Sequence, residues 1–389
     1  MKNIVGILAS IPVLLFGIDL TEYKVPKTSG QVLSTGVNYH FGMIDGSVVS
    51  HFGNFSLNFE RFQADIPWSY DLNLFGNLYG NFLPKDTAST DSTKQINYQV
   101  QWQAKYNRYI ISGMNLLAFG KLDGDITTAY DLPATRATIG IGYGRFVNST
   151  PLLRALRIEE EMLKQGVLVD SMPTGTLLKF AGELSSEAIK TYKEKYYYWE
   201  KEYYSALERI LKESNYLKNS ELGSAGSLIV KDIMEEYMSP RYYGYEANLG
   251  VGYDLLPAYT DAGRAAFASV SFDYSRPLGL RSQLIEKSNL RLPFTGGKFG
   301  NEIHGSLLVS ASYEMNSVDL IGTYQLKADR VTLDNTGNYT LVLQNQINGT
   351  VAFVLVDRLI MSNSITLTQS TLAQGLSAEF SSTLSYRFF

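Results

Sequence analysis

The chain has 389 residues, a formal net charge of -4 and no cysteine, and 45% of its residues are hydrophobic. The lack of cysteine excludes disulfides, thiol catalysis and acylation of the lipoprotein type. Because there is no basic excess, we expect no nucleic-acid partner. The 27 tyrosines, 19 phenylalanines and 33 glycines favour a β-rich chain whose aromatic rings lie at an amphipathic boundary.

The N-terminus carries an apolar segment. Lys2 is followed by an apolar run over residues 4–17, interrupted by Ser10 and Pro12. A basic residue followed by such a run is typical of a secretory signal peptide, so residues 1–17 are predicted to be one. An uncleaved N-terminal anchor is the alternative. No later segment has the roughly 18 continuous apolar residues that a membrane helix needs.

The strongest pattern is an alternation of apolar and polar residues. Between Ile96 and Tyr106, apolar residues fill the even positions, and amides or Lys105 fill the odd ones. A period of two puts the two sets on opposite faces of a β-strand. The pattern recurs in residues 68–81, 137–143, 245–254, 266–274, 303–313 and 318–326.

Both a soluble sandwich and a transmembrane barrel alternate in this way. The barrel is favoured because the strands reach about ten residues and the opposite rows hold amides and glycines with few charges. Aromatic residues also end the apolar rows, at Trp68, Tyr106, Tyr143, Tyr253, Tyr274 and Tyr313. The polar rows would line a hydrated lumen, and the predicted lining residues are Asp71, Asn73, Asn77, Gln99, Gln101, Gln103, Lys105, Arg136, Glu246, Asn248 and Asp254.

The connections predict the strand count. Short turns at residues 64–67, 106–109, 275–279, 314–317 and 356–359 alternate with longer loops, among them residues 121–131. Outer-membrane barrels have short periplasmic turns and an even number of strands, so this alternation predicts fourteen antiparallel strands with both termini in the periplasm. Residues 280–292 alternate poorly and could form a short helix. Without that strand the count would be odd, so a barrel of twelve strands is expected in that case.

The chain ends in a strand-like segment with Phe380, Leu384, Tyr386 and Phe388 at alternate positions. This ending resembles the assembly signal of Gram-negative outer-membrane β-barrels, in which apolar residues alternate back from a terminal aromatic residue. Here the alternation counts back from Phe388, so the terminal Phe389 lies one residue beyond the pattern. The resemblance is porin-like in architecture, points to no subfamily, and covers the chain outside its middle segment. It implies outer-membrane lipid and the barrel assembly machinery as partners.

Between residues 148 and 240 the apolar residues no longer alternate but follow helical spacing, and we expect a periplasmic helical insert there. Thr150 can cap a helix that continues to about Lys164, with Pro151 at its first position. A longer helix is predicted from Ser185 or Ser186 to about Glu213, and a third over about residues 225–238. The long helix carries a heptad seam of Ile189, Tyr192, Tyr196, Trp199, Tyr203, Ala206 and Ile210. The seam packs either within the insert, against a second copy, against a periplasmic partner, or inside the lumen.

The remaining motifs give weak signals of chemistry. His304 and Ser306 match the His-x-Ser spacing of outer-membrane phospholipases, but the flanking residues differ and alternation turns both side chains toward the lumen. Asp123, Asp125 and Asp131 could bind a hard cation, although they lack the ligand spacing of an EF-hand. Gly140, Gly142 and Gly144 alternate on one strand and indicate a close approach in the lumen or a bend in the wall.

Together these patterns predict a signal peptide (1–17), a first barrel part of about six strands (18–147), the helical insert (148–240) and a second barrel part of about eight strands (241–389). The leading hypothesis is an outer-membrane channel for small polar solutes, with no catalytic residue, metal or cofactor. The alternatives are a membrane-anchored docking protein that acts through the insert, and an acyl hydrolase that uses His304 and Ser306.

Overall fold

The computed structural model describes residues 19–25, 27–44, 47–65, 67–81, 96–111, 114–236, 238–260, 263–294, 302–315, 317–332, 339–356, 358–371 and 375–388. These ranges contain a short 3-10 helix, Leu20–Glu22, fourteen strands and five α-helices. The strands are β1 (Lys27–Ile44), β2 (Ser47–Asp65), β3 (Trp68–Asn81), β4 (Ile96–Tyr109), β5 (Leu116–Thr127), β6 (Ala134–Asn148), β7 (Tyr242–Leu256), β8 (Ala266–Pro277), β9 (Ser282–Pro293), β10 (Ile303–Met315), β11 (Val318–Thr332), β12 (Tyr339–Val356), β13 (Leu359–Ser370) and β14 (Leu376–Arg387). The helices are α1 (Thr150–Lys164), α2 (Thr174–Glu183), α3 (Ser186–Lys195), α4 (Trp199–Ser214) and α5 (Gly223–Glu235). The predicted signal peptide, residues 1–17, and Phe389 lie outside the described residues.

The strands form one closed antiparallel barrel. Each strand pairs with its neighbours in sequence, and β14 pairs with β1 to close the wall. At this junction Gly36 lies opposite Ser385 and Val37 lies opposite Leu384. Closure leaves no unpaired edge, which is the condition for a sheet that spans a lipid bilayer. The predicted all-β barrel of fourteen strands is therefore confirmed, and the count of twelve is wrong.

Strand β9 is the segment in which alternation was weakest. It pairs with β8 and β10 along its length, with Asn289 opposite both Ser271 and Ser306. The short helix considered for this segment is therefore wrong. Its alternation is poor because Glu286 and Ser288 share the outward row with leucines, and Glu286 lies opposite Tyr274 of β8.

The outer face of the barrel is apolar and uncovered. Ile139, Leu249 and Ile347 are 67%, 57% and 57% exposed on this face. Aromatic residues lie toward the ends of the outward rows, and Trp68 stacks on Tyr70 with ring centroids 5.8 Å apart. An apolar wall of this extent needs a nonaqueous environment, and aromatic residues near its ends match the interfaces of a bilayer. None of the described helices is both long and apolar enough to cross a bilayer.

The two ends of the barrel differ. Because successive strands alternate in direction, the turns after β2, β4, β8, β10 and β12 lie at the same end as the start of β1, the finish of β14 and the helices between β6 and β7. We name this the insert end and the opposite end the loop end.

Two predicted connections are wrong in position. Strand β4 continues through the predicted turn to Tyr109, and residues 121–127 of the predicted loop belong to β5. Both segments pair with their neighbours: Asn107 lies opposite Phe119, and Asp123 lies opposite Gln103. Asn107 and Asp123 resemble loop residues in the sequence because they are polar, but their side chains face the lumen.

The insert contains more helices than predicted. Helix α2 has no counterpart in the prediction, and the long helix expected from Ser185 is wrong as a single element. Helix α3 ends at Lys195, Tyr196 is extended with φ -124° and ψ 135°, and α4 begins at Trp199. Successive tyrosines are only moderate helix formers. The break brings the rings of Tyr192 and Trp199 to 5.6 and 6.2 Å from the ring of Tyr203.

The start of α1 also differs from the prediction. The helix begins at Thr150 itself, so this residue is not the N-cap, and no side chain caps the helix at Ser149. The Thr150 hydroxyl instead accepts a hydrogen bond of 2.9 Å from the backbone N–H of Arg241. The two ends of the insert are thereby joined to each other.

The predicted seam packs largely within the insert. Tyr203 and Ala206 are buried, and Ile189, Tyr192, Trp199 and Ile210 pack against the insert core. Tyr196 is half-buried and stacks on Tyr192 with centroids 6.1 Å apart. The core itself includes Leu152, Ile158, Phe180, Leu207 and Leu211. The break after α3 therefore leaves no continuous exposed seam on this face.

Candidate functional site

The inward rows of the strands form a polar lumen. Asp71 of β3 lies opposite Lys105 of β4, Asn73 lies opposite Gln103, and the apolar residues between them point outward. The structure places all eleven predicted lining residues in these inward rows. Eight of them line a cavity, namely Asp71, Asn73, Gln101, Gln103, Lys105, Arg136, Glu246 and Asn248. Asn77, Gln99 and Asp254 stand in the same rows further along their strands.

Two cavities lie between the walls. The loop-end cavity has a volume of about 480 Å³ and includes His304, Arg291 and Lys327 in its lining. The insert-end cavity has a volume of about 750 Å³. Lys105, Asp123 and Arg136 line both, so the cavities adjoin. Among the described residues, none from the five helices lines either cavity, so the insert does not fill the lumen along its length.

A buried polar network lies where the cavities adjoin. The Lys105 ammonium pairs with the Glu246 carboxylate, which also accepts hydrogen bonds from Asn107 Nδ2 at 3.1 Å and Asn248 Nδ2 at 2.9 Å. Lys105 also lies over the Phe119 ring, 5.2 Å from its centroid. These contacts join β4 to β7 across two intervening strands and fix the side chains at the centre of the lumen.

Glycines allow close contacts on the lumen wall. A Cβ atom added to Gly142 would approach Ala247 O to 2.8 Å and Leu117 Cδ1 to 2.9 Å. Added to Gly250, it would approach Ile139 O to 2.8 Å and Phe119 Cζ to 2.9 Å. A side chain at these positions would collide with the backbone of the neighbouring strand and with the side chains beside it. The predicted close approach at the alternating glycines is therefore present.

The loop-end cavity carries ion pairs. Asp123 accepts a hydrogen bond of 2.9 Å from Arg136 Nε, and Asp254 accepts two from Arg291 Nη2 at 2.8 and 2.7 Å. Arg136 Nη2 also lies 3.5 Å from Asp125 Oδ1. Since the carboxylates of Asp123 and Asp125 are paired with guanidinium groups on the wall, their arrangement is not that of a cation site in a loop.

The third residue of the predicted cation set is apart from the other two. Asp131 Oδ2 accepts hydrogen bonds from the backbone N–H and hydroxyl of Thr260. Within the described ranges, no group of three or more acidic, histidine or cysteine residues has the geometry to hold a metal ion. The arrangement of Asp131 is that of a polar link between the loops after β5 and β7.

His304 and Ser306 both face the lumen. His304 Nδ1 lies 2.9 Å from Asp329 Oδ1, and the two residues are paired across β10 and β11. In the part of the chain that the structure describes, no hydrogen bond joins His304 to the Ser306 hydroxyl. A hydrolase needs its base within hydrogen-bond reach of its nucleophile. An enzyme that acts on bilayer lipid would also need both groups on the outer face.

Glu314 fastens the base of the insert to the barrel. Its buried carboxylate accepts hydrogen bonds from Arg157 Nη2 at 2.5 Å and from Arg241 Nη2 at 2.9 Å. On the next strand, Asp319 accepts a hydrogen bond of 3.0 Å from the Ser239 hydroxyl. Burial lowers the pKa of the Arg241 guanidinium, whereas the adjacent Glu314 carboxylate raises it. The insert is thus anchored on lumen-facing carboxylates of β10 and β11.

Two glycines near the paired ends of β6 and β7 have positive φ angles. Gly144 and Gly244 have φ of 130° and 127°, a backbone region that side chains other than glycine rarely adopt. A Cβ atom on Gly144 would also overlap the carbonyl oxygen of Tyr245. Gly144 was predicted to mark a close approach or a bend, and the overlap with Tyr245 shows the close approach.

Beyond Gly144, β6 meets β1 across the mouth of the barrel. Asn148 donates from its backbone N–H to the Thr28 hydroxyl at 3.0 Å and from Nδ2 to the Ser29 carbonyl at 2.8 Å. Tyr242 packs edge-on against Phe62 with centroids 6.1 Å apart. Since four strands separate β1 from β6 along the wall, these contacts narrow the lumen at the insert end.

Several residues of the lumen were not predicted. Asp273, Lys287 and Arg291 line the cavities, but their strands alternate less regularly than β3 and β4. Glu314 was assigned to a turn, and the sequence carries no signal that two arginines of the insert would reach it. Asp273 could have been found by extending the alternation of residues 266–274, in which it occupies the polar row.

No protein-family model matches the sequence, and a search of curated proteins gives no significant match. Solved structures similar in fold are outer-membrane proteins. The outer membrane channel DcaP of Acinetobacter baumannii is 10% identical, covers 94% of this chain and 98% of its own, and superposes with a TM-score of 0.36. OccK3 of Pseudomonas aeruginosa is 9% identical, covers 92% and 95%, and has a TM-score of 0.33. A loop-deletion variant of OmpT from Vibrio cholerae is 8% identical, covers 94% and 100%, and has a TM-score of 0.34.

With TM-scores below 0.5, these superpositions carry no argument about this chain. The predicted β-barrel architecture is confirmed by the closed wall of fourteen strands itself. What passes through the lumen or binds to it has to be read from the residues of this chain.

Proposed function

We propose that the protein is an outer-membrane channel through which small polar solutes diffuse, with no covalent step. The observation that carries this proposal is the pair of adjoining cavities, which are lined by strand side chains and by no described residue of the helices. Their lining is charged and amide-rich, as in a hydrated bore, and selectivity would follow from its charge and width.

We further propose that the insert end faces the periplasm. In outer-membrane barrels the short turns are periplasmic and the long loops face outward. Here the short turns, the start of β1, the finish of β14 and the insert share one end. The last strand also finishes at this end, where Phe388 N–H donates to the Leu33 carbonyl at 2.8 Å and extends the junction with β1.

Conductance across a planar bilayer in 1 M KCl tests the channel proposal. At this salt concentration the Debye length is about 3 Å, so wall charges are screened and an open lumen should give discrete, ohmic steps. The refolded protein should first be checked for heat-modifiable migration, which distinguishes a folded barrel from an unfolded chain. A folded barrel that gives no steps would contradict the proposal.

A second function, docking through the insert, is favoured by one observation. Tyr197 and Tyr198 lie at the break between α3 and α4, are 91% and 75% exposed, and pack edge-on with centroids 4.9 Å apart. Exposed tyrosine pairs are typical of interfaces. If the insert mediates self-association, replacing both tyrosines with serine should reduce the oligomer measured by sedimentation and leave conductance unchanged.

An acyl hydrolase remains a third hypothesis, and the geometry supports it least. Both His304 and Ser306 face the lumen rather than lipid. Ser306→Ala should leave the fold and the conductance unchanged, and a loss of esterase activity in this variant would favour the enzyme.

A further inference from the structure

The two ends of the lumen differ in how far their side chains are exposed. At the insert end, the inward-facing residues Ser275 of β8, Glu314 of β10 and Asp319 of β11 are buried. At the loop end of β10 and β11, in the same inward rows, the side chains of His304 and Asp329 are 36% and 41% exposed. The lumen is therefore accessible from the loop end and shielded at the insert end.

The insert covers one part of the shielded mouth. Arg241 binds Glu314 on β10 at 2.9 Å. The Ser239 hydroxyl binds Asp319 on β11 at 3.0 Å. In the turn between β8 and β9, Leu280 packs against the insert core. Since the insert leaves the wall at β6 and returns at β7, these contacts place its base over the mouth from β8 to β11.

The side chain of Tyr242 occupies the other part of the mouth. It stands in the inward row of β7, opposite Asn148 of β6. Its ring meets that of Phe62 of β2 edge-on, and a Cβ atom added to Gly30 of β1 would lie 2.5 Å from its hydroxyl oxygen. Because four strands separate β2 from β7 along the wall, the phenol crosses the lumen from one side to the other.

The backbone of Tyr242 is tied to the base of the insert. Tyr242 directly follows Arg241, the buried partner of Glu314. The Tyr242 carbonyl accepts hydrogen bonds from Gln283 Nε2 at 2.8 Å and from the Ser275 hydroxyl at 3.2 Å. The position of the phenol therefore depends on contacts with β8, β9 and β10, and the ion pair on β10 is the strongest of them.

We propose that Tyr242 is a gate at the insert end of the lumen and that the Arg241–Glu314 pair is the latch that keeps this gate narrow. When the pair breaks, the start of β7 and the base of the insert move away from the mouth together, and the mouth widens. Passage through the gate presupposes the proposed channel, whereas the shielding of the mouth can be measured without it.

Thiol labelling of the refolded barrel in detergent tests the latch, because the chain has no cysteine of its own. Ser275→Cys places a thiol at the shielded end of β8, and Ser269→Cys places one in the same inward row on the wall of the loop-end cavity. A charged maleimide should label Ser275→Cys about tenfold or more slowly than Ser269→Cys, since it must wait for local opening. Adding Glu314→Gln should speed the labelling of Ser275→Cys by about tenfold or more and leave that of Ser269→Cys unchanged.

Conductance in 1 M KCl tests the gate. Tyr242→Ala removes the phenol and should enlarge the single-channel steps by about twofold or more, because the narrowest section limits the current. Tyr245→Ala is the matched control: it removes an exposed ring from the outer face of the same strand and should leave the steps unchanged. Glu314→Gln should add steps of the larger size to those of the native protein.

Heat-modifiable migration shows which variants have folded, and Tyr242→Leu replaces Tyr242→Ala if the latter does not fold. Equal labelling rates of Ser275→Cys and Ser269→Cys would overturn the inference, as would steps of native size in the folded Tyr242 variant. If every folded variant is silent in the bilayer while Glu314→Gln still speeds the labelling of Ser275→Cys, the channel is contradicted and the latched mouth is supported.

Discussion

The attachment of the insert depends on Glu314, and Glu314→Gln tests it. The side chain of Glu314 is 5% exposed and that of Arg241 is 1% exposed, and their nearest atoms are 2.9 Å apart. Arg157, the second partner, retains Glu236 at 3.7 Å. The glutamine therefore leaves Arg241 as a buried cation with no carboxylate of the described residues within 4.0 Å. Removal of one partner of a buried ion pair typically costs about 3–5 kcal/mol.

This loss of stability should be local to the base of the insert. Arg241 accepts a hydrogen bond of 2.8 Å from the Ser149 N–H through its carbonyl oxygen, so the start of α1 and the segment before β7 would open together. A loss of 3–5 kcal/mol raises the opening equilibrium by roughly a hundredfold to several thousandfold. Native-state hydrogen exchange of the whole protein, measured by mass spectrometry, reports this opening for residues 149–160 and 238–243.

The matched control is an exposed ion pair at the same end of the barrel. Lys27 and Asp65 lie 3.7 Å apart with side chains 48% and 30% exposed. Asp65→Asn should change the opening equilibrium by at most about fivefold, because exposed pairs contribute up to about 1 kcal/mol. Equal protection of the insert base in both variants would refute the assignment of Glu314 as its anchor.

Three further predictions concern the insert and the wall. Burial raises the pKa of Glu159, so the folded state binds the proton more tightly than the unfolded state. The insert should therefore lose stability as pH rises above the ordinary glutamate range. Hydrogen exchange of α1 should detect this dependence of stability on pH, and Glu159→Gln should abolish it. Gly142→Ala should destabilise the barrel by about 1–3 kcal/mol in urea unfolding, whereas Gly322→Ala, where a Cβ atom meets nothing within 4 Å, should be neutral; equal effects would refute the packing argument. Tyr203→Phe removes a buried hydroxyl that has no partner among the described residues and should leave the exchange of α4 unchanged or slower by up to about fivefold, and faster exchange would contradict this.

The wall could be predicted because its signal is local. A period of two fixes which face each residue takes, as on β4 from Ile96 to Tyr106, and the parity of the short turns fixes the number of strands. The same signal fails where a strand departs from the rule. On β9, the charged residue Glu286 occupies the outward row. On β5, the polar residue Asp123 was predicted to lie in a loop, and only its pairing with Gln103 of β4 shows that it belongs to a strand.

The contacts within the lumen could not be predicted, because they join residues that are distant in sequence. Lys105 and Glu246 are 141 residues apart, and Arg157 and Glu314 are 157 residues apart. Nothing in the spacing of either residue indicates its partner. The break at Tyr196 was missed for a related reason: the heptad spacing continues through it, and tertiary packing on Tyr203 overrides the local pattern.

The base and the tip of the insert differ in what they contact. The base reaches lumen-facing Glu314 through Arg157 and Arg241, and Asn148 of β6 contacts Thr28 of β1 at the same end. The tip, at Tyr197, is exposed and lies outside both cavities. A change at the base should therefore alter conductance and leave association unchanged, and a change at the tip should do the reverse. The proposed channel and the proposed docking function are thus compatible in one chain, since each would depend on residues that the other does not use.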